Sequence, residues 1–130
     1  MAELDYAFLA DYAAVEAGKL SAIGASFTRV VVPGFPTQLR LHVAGRVRTQ
    51  VSASQCDLQV TVTAADGAFQ LEGSLALEAD DAVPYRDDLV GLLFAVGMEL
   101  PLEGPGLCEV VLQLDGEQVR TLRFEVEGPA

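Results

Sequence analysis

The stretch Leu39-Arg40-Leu41-His42-Val43-Ala44-Gly45-Arg46-Val47-Arg48 decides the fold class. Leu39, Leu41, Val43 and Val47 share one parity, and Arg40, His42, Arg46 and Arg48 share the other. That period of two belongs to a β-strand with one buried and one wet face. The pattern recurs downstream at 56–63, where Cys56, Leu58, Val60 and Val62 oppose Asp57, Gln59, Thr61 and Thr63. At 69–78, Phe69, Leu71, Leu75 and Leu77 read as inward and Gln70, Glu72, Ser74 and Glu78 as outward. Asp66-Gly67 lies between these runs and supplies a turn that tolerates positive φ, so the pair reads as a hairpin. A second hairpin closes the chain: Cys108, Val110, Leu112 and Leu114 alternate with polar residues, Asp115-Gly116 turns, and Leu122, Phe124 and Val126 return.

Three segments are less regular. Residues 20–32 hold Ile23, Phe27 and the β-branched run Val30-Val31-Val32 before Pro33-Gly34-Phe35-Pro36 breaks the pattern, which predicts a strand and then a loop. Residues 89–100 are apolar on both parities. Gly91 and Gly97 each cost a helix about 1 kcal/mol, so a central strand is the better reading than a buried helix capped by Asp87 or Asp88. In the first segment Leu4, Phe8, Tyr12 and Val15 fit a helical stripe while Leu4, Tyr6, Phe8 and Ala10 fit a strand, and periodicity leaves both open. The sum is an all-β chain: a single antiparallel β-sandwich, immunoglobulin-like, with about seven to eight strands. At 130 residues it is expected to form one domain over 1–130.

The composition narrows the partners. Nineteen acids against eight bases give a net charge of -11. A field of that sign repels nucleic acid and anionic lipid, so neither is expected as a partner. The charge is uneven, because residues 1–55 carry four acids and five bases and residues 56–130 carry fifteen and three. Acids occupy the N-terminal positions where a secretory signal needs bases, and no apolar run approaches the ~20 residues of a membrane helix. The cytoplasm is the expected location. With 51 % hydrophobic residues the chain has ample material for a core.

Few residues suggest chemistry. His42 is the single histidine and shares the outward parity of the arginines, with no nucleophile or base beside it in sequence, so it reads as a surface histidine. The Arg40, Arg46, Arg48 stripe is the candidate interaction surface for an anion or an acidic partner; the alternative is pairing across strands with Glu72 or Glu78. Cys56 and Cys108 both share parity with core residues, as the inter-sheet bridge of antibody domains does. Trp is absent, however, and Gly106 stands where the tyrosine corner would place Tyr, so two buried, reduced thiols are expected. Asp80, Asp81, Asp87 and Asp88 are the candidate metal ligands, with Glu78 beside them, since loop carboxylates can supply hard oxygens to calcium. The spacing lacks the ladder of an EF-hand. A Glu78–Asp88 acid/base pair is weaker still, and no cofactor is expected.

Two stretches carry a family likeness. One is Asp5-Tyr6-Ala7-Phe8-Leu9-Ala10-Asp11-Tyr12-Ala13, running through Gly18-Lys19-Leu20-Ser21-Ala22-Ile23-Gly24-Ala25-Ser26-Phe27 to Gly34-Phe35-Pro36. The other is Pro101-Leu102-Glu103-Gly104-Pro105-Gly106 followed by Leu114-Asp115-Gly116-Glu117. Together they resemble a family of small bacterial β-sandwich proteins of unknown function. The resemblance implies a strand in the first stretch, a turn at Gly18-Lys19, a strand ending near Gly34-Phe35-Pro36 and a Pro-Gly turn feeding the last hairpin. Cys108 stands near where that family tends to place an aromatic. The resemblance implies no catalytic or ligand residues. The expected function is a non-enzymatic protein-interaction or structural module that binds a protein partner or its own copy; the alternative is metal or small-ligand binding through the acidic loop 78–88.

Overall fold

The computed structural model describes residues 2–53, 55–64, 70–78 and 84–129, and the chain is all-β across them. The strands are β1 (Glu3–Ala10), β2 (Tyr12–Glu16), β3 (Lys19–Ile23), β4 (Arg29–Val31), β5 (Thr37–Gln50), β6 (Gln55–Thr63), β7 (Gln70–Glu78), β8 (Leu89–Leu102), β9 (Gly106–Leu114) and β10 (Glu117–Glu127). A 3-10 turn, Val51–Ala53, follows β5. They form a three-stranded sheet ordered β1-β5-β8, a five-stranded sheet ordered β4-β10-β9-β6-β7, and a separate β2-β3 hairpin.

The periodic strands form where the alternation places them. Along β5 the odd-numbered Leu41, Val43, Val47 and Thr49 are buried, while Arg40 and Gln50 are exposed. Together with Leu92, Phe94 and Leu100 of β8 they face Leu58, Val60 and Val62 of β6, Val110 and Leu112 of β9, and Phe124 and Val126 of β10 in one shared core. Gly45 sits within this core under a constraint that only glycine meets. A Cβ there would lie 2.1 Å from the Tyr6 carbonyl oxygen and 2.9 Å from both Ala7 Cα and Phe94 Cζ. The Asp115-Gly116 turn between β9 and β10 has both residues at positive φ, 49° and 84°, the type I′ geometry that Asp-Gly favours. The Asp66-Gly67 turn and Phe69 lie outside the described residues.

Several expectations need correction. The described strands number ten rather than seven or eight, because residues 20–32 yield parts of two short strands, β3 and β4, and the first segment yields β1 and β2. The sheets are not wholly antiparallel: β4 runs parallel to β10, with Arg29 opposite Glu125 and Val31 opposite Glu127. Residues 89–100 are strand, as expected, but among the described residues β8 stands at the edge of its sheet, not the centre. One face is buried in the core, and the other is half-buried from Leu89 to Ala95 and exposed at Gly97, Glu99 and Pro101. Even-numbered residues enter the core, and the odd-numbered Ala95 packs against Ala10, Ala13 and Ala44 beneath the β2-β3 hairpin. Leu75, read as inward, is 40 % exposed because β7 is the other sheet's edge.

Candidate functional site

The outer face of the β1-β5-β8 sheet collects the side chains with recognisable chemistry. Even-numbered positions of β5 point there, and the register sets Arg48 beside Glu3, Arg46 beside Tyr6, Ala44 beside Phe8 and His42 beside Ala10. On the other flank Arg40 faces Glu99 and His42 faces Gly97. The β1 register shifts between Leu4 and Tyr6, so Asp5 is an unpaired bulge residue. A bulge re-aims a side chain. Here the Asp5 carboxylate turns onto Arg46 and accepts hydrogen bonds from Nε at 2.8 Å and from Nη2.

Arg46 is held on every side. Its guanidinium lies 5.7 Å from the Tyr6 ring centre and 5.1 Å from that of Tyr85. Such stacking is worth about 0.5–1 kcal/mol where partly exposed. Its stem crosses Gly91, where a Cβ would come within 3.0 Å of Arg46 Cδ. The Asp5 hydrogen bond, and then its charge, raise the Arg46 pKa above the ordinary arginine value against the opposing effect of burial. Arg48 reaches Glu3 Oε2 at 3.1 Å and Asp5 Oδ1 at 3.7 Å, and Arg40 reaches Glu99 Oε1 at 3.3 Å. All three arginines therefore carry a carboxylate within the chain. The partners are not Glu72 or Glu78, which lie on β7 in the other sheet; Glu78 instead accepts from Gln55 Nε2 at 3.2 Å.

His42 is less open than a surface histidine. Tyr12, at the start of β2, meets its ring edge-on at 5.2 Å, and Gly97 lies against its other side. Its Nδ1 is buried without a hydrogen-bond partner among the described residues. Tyr12, Arg40, His42, Gly97, Met98 and Glu99 line a cavity of about 370 Å³. That lining contains no hydroxyl or thiol nucleophile apart from the Tyr12 phenol, and its one carboxylate is engaged by Arg40. The cavity offers shape and polarity without an acid/base relay.

The remaining candidates are dispersed. Asp80 and Asp81 lie outside the described residues. Asp87 and Asp88 are exposed in the turn that leads into β8, where Leu89 N–H donates to Arg86 O at 2.8 Å. Asp87 takes a left-handed φ of 50° there, which Asp tolerates in turns. Among the described residues no group of three or more His, Cys, Asp or Glu side chains could hold a metal. Cys56 and Cys108 are buried, with no disulfide between them. Both belong to the five-stranded sheet, and the β6-β9 register puts Cys108 just beyond the Thr63–Glu109 pair, about 26 Å along β6 from Cys56 at ~3.3 Å per residue. An inter-sheet bridge is therefore impossible. Burial, and then Asp115 and Asp57, push the Cys56 thiol pKa up, which makes it a poor nucleophile.

Sequence reading identified the arginines but missed the tyrosines. Tyr6, Tyr12 and Tyr85 are all the tyrosines in the chain, exposed by 39 %, 48 % and 48 %, and all three sit against Arg46 or His42. In sequence Tyr6 shares the parity of the apolar Leu4, Phe8 and Ala10, so no local pattern marked it.

Residues 5–127 match the model of a family of unknown function (DUF6941). No curated protein matches the chain. Among solved structures the chain is similar to Pseudomonas fluorescens alkylpurine DNA glycosylase AlkC bound to DNA containing an abasic site analog, with a TM-score of 0.55 and 8 % identity. The match covers 97 % of this chain and 30 % of that one, and at such identity the likeness concerns the fold alone.

Proposed function

The chain belongs to that family of unknown function, and we propose that it is a non-enzymatic protein-interaction or structural module whose recognition surface is the outer face of the β1-β5-β8 sheet. The observation that carries this reading is the gathering of all three tyrosines around Arg46 and His42 on one sheet face. Tyr and Arg dominate the energetic centres of protein interfaces, because they bury large area with little loss of rotamer freedom and keep a polar tip. The ion pairs with Glu3, Asp5 and Glu99 hold the arginine side chains in place before any partner arrives.

The same reading takes the two larger sheets as an immunoglobulin-like sandwich and the chain as cytoplasmic. The partner is protein, since a net charge of -11 opposes a nucleic-acid backbone even though the glycosylase with a similar fold is bound to DNA. The absence of a nucleophile–base pair around His42 supports the non-enzymatic assignment.

Photo-crosslinking tests it. A benzophenone amino acid replaces Tyr6, Tyr12 or Tyr85 in turn, with Gln113 on the far sheet as the control position. Crosslinks to one protein species from the tyrosine positions and not from Gln113 are expected. Equal labelling from Gln113, or none from any tyrosine position, refutes the assignment of the face.

A further inference from the structure

The β8 strand has an unusual edge. It is 14 residues long, and among the described residues it forms a ladder with β5 alone. Natural sheets guard such edges with lysines, prolines, bulges or covering segments. Between Leu89 and Leu102 the only charge is Glu99, the only proline is Pro101, and the β5-β8 register runs without a shift. The β2-β3 hairpin packs on the face of the sheet, over Ala44 and Ala95, and not in its plane.

The ladder geometry shows which backbone groups this edge offers. Val51 N–H donates to Asp88 O at 2.8 Å, so Asp88 turns its peptide groups toward β5. Leu89 turns the other way, donating to Arg86 O at 2.8 Å and accepting from Tyr85 N–H at 3.0 Å. Antiparallel strands alternate residue by residue, so the odd-numbered residues of β8 direct their N–H and C=O groups to the edge. Leu89 is satisfied by its turn, and Pro101 has no N–H. Among the described residues, beyond the Arg86–Leu89 bridge, no other strand meets Gly91, Leu93, Ala95, Gly97 and Glu99, a set symmetric about Ala95.

We propose that two copies of this chain pair through this edge, β8 against β8 in antiparallel register, about a two-fold axis at Ala95. The proposal rests on the interaction-module reading and names a second copy as the partner. Only an even register sum keeps both cores on one side of the joined sheet, and the sum centred on Ala95 matches every edge-directed residue with another. Five such pairs exchange about ten backbone hydrogen bonds, the number a typical specific interface carries.

The side chains leave room for that register. Glu99 comes to lie opposite the partner subunit's Gly91, which has no side chain to block it. In each chain Arg46 crosses Gly91 and Arg48 stands next to it on β5. Glu99 of one copy thus comes beside Arg46 and Arg48 of the other, whose guanidiniums already hold Asp5 and Glu3. The alternative centre at Val96 instead sets Pro101 against Gly91 and loses an N–H at each end.

The test is sedimentation of the full chain from micromolar to millimolar concentration, with residue-resolved amide exchange at both extremes. The expected result is a mass rising from 13.8 kDa to twice that value, with concentration-dependent protection at Gly91, Leu93, Ala95, Gly97 and Glu99. Ala95→Pro removes an edge-directed N–H without touching the β5 ladder, and is expected to leave a monomer. Glu99→Lys, at an exposed position, is expected to raise the dimer Kd at least tenfold, and it decides the matter if the proline variant does not fold. A chain that stays monomeric throughout overturns the proposal. So does a dimer whose odd-numbered β8 amides exchange as fast as in the monomer, or one that both variants leave intact; those results leave the tyrosine face standing as the contact surface.

Discussion

Replacing Gly45 with alanine adds one methyl group at the most constrained point of the β1-β5 pair. The new carbon would stand 2.1 Å from the Tyr6 carbonyl oxygen and 2.9 Å from Ala7 Cα, so the obstacle is backbone and cannot rotate away. Phe94 Cζ, also at 2.9 Å, closes the other side, and Phe94 itself is buried. Relief requires β1 to move away from β5, against the Tyr6–Arg46 and Ala7–Gly45 pairings. Overpacking typically costs 1–3 kcal/mol, and a backbone clash belongs at the top of that range, so we expect about 3 kcal/mol. The smaller backbone entropy of alanine returns less than about 1 kcal/mol of this. For a domain of this size the net loss lowers Tm by about 10 °C. The chain has no Trp, so urea unfolding followed by far-ultraviolet circular dichroism is the suitable assay, with an unchanged slope and a lower midpoint expected. Gly73→Ala on β7, where a Cβ meets nothing within 4 Å, is the control and should be neutral. If Gly45→Ala unfolds within about 0.5 kcal/mol of the parent, inside the range of ordinary surface substitutions, the packing argument fails.

Other consequences can be checked as directly. Both thiols are buried, so they should react with a disulfide reagent only on the timescale of unfolding; rapid labelling of the folded chain would contradict the packing. Because the folded-state pKa of Cys56 is raised, the proton is held more tightly in the folded form. Its contribution to stability is therefore full below the ordinary thiol pKa and is lost as pH rises through the folded value. A Cys56→Ser variant should flatten the alkaline fall in stability. Millimolar calcium should leave Tm unchanged; a rise that vanishes in an Asp80→Ala/Asp81→Ala double variant would return metal binding to the acidic loop.

The alternating strands β5, β6, β9 and β10 were legible because each has one face in the core and one in water, and their side chains record that difference. The first segment resisted periodicity for an identifiable reason. The bulge at Asp5 inverts parity, so Leu4 stands beside Val47 on the core side while Tyr6 and Phe8 stand beside Arg46 and Ala44 on the outer side. One inserted residue breaks a period of two, and nothing in the residue type announces it. For β8 the apolar run gave the strand but not its rank in the sheet, since hydropathy reports burial of the faces and is silent about neighbours in the plane. The site was half legible. The arginine stripe follows from parity, but Tyr12 and Tyr85 reach it from a hairpin and a turn, through contacts that no local pattern encodes.

The parallel contact between β4 and β10 bears on how the chain is made. Arg29 opposite Glu125 and Val31 opposite Glu127 join residues nearly a hundred positions apart. β4 can acquire that neighbour only after the last strand has been synthesised. At about 5–20 residues per second the wait is on the order of 5–20 s, during which the Val30-Val31-Val32 run is without its sheet. Pairings of such long range also slow folding itself into the millisecond-to-second regime. The newborn chain thus passes through an interval in which a strongly β-forming segment is exposed at the ribosome, and occupancy by a chaperone is most valuable there.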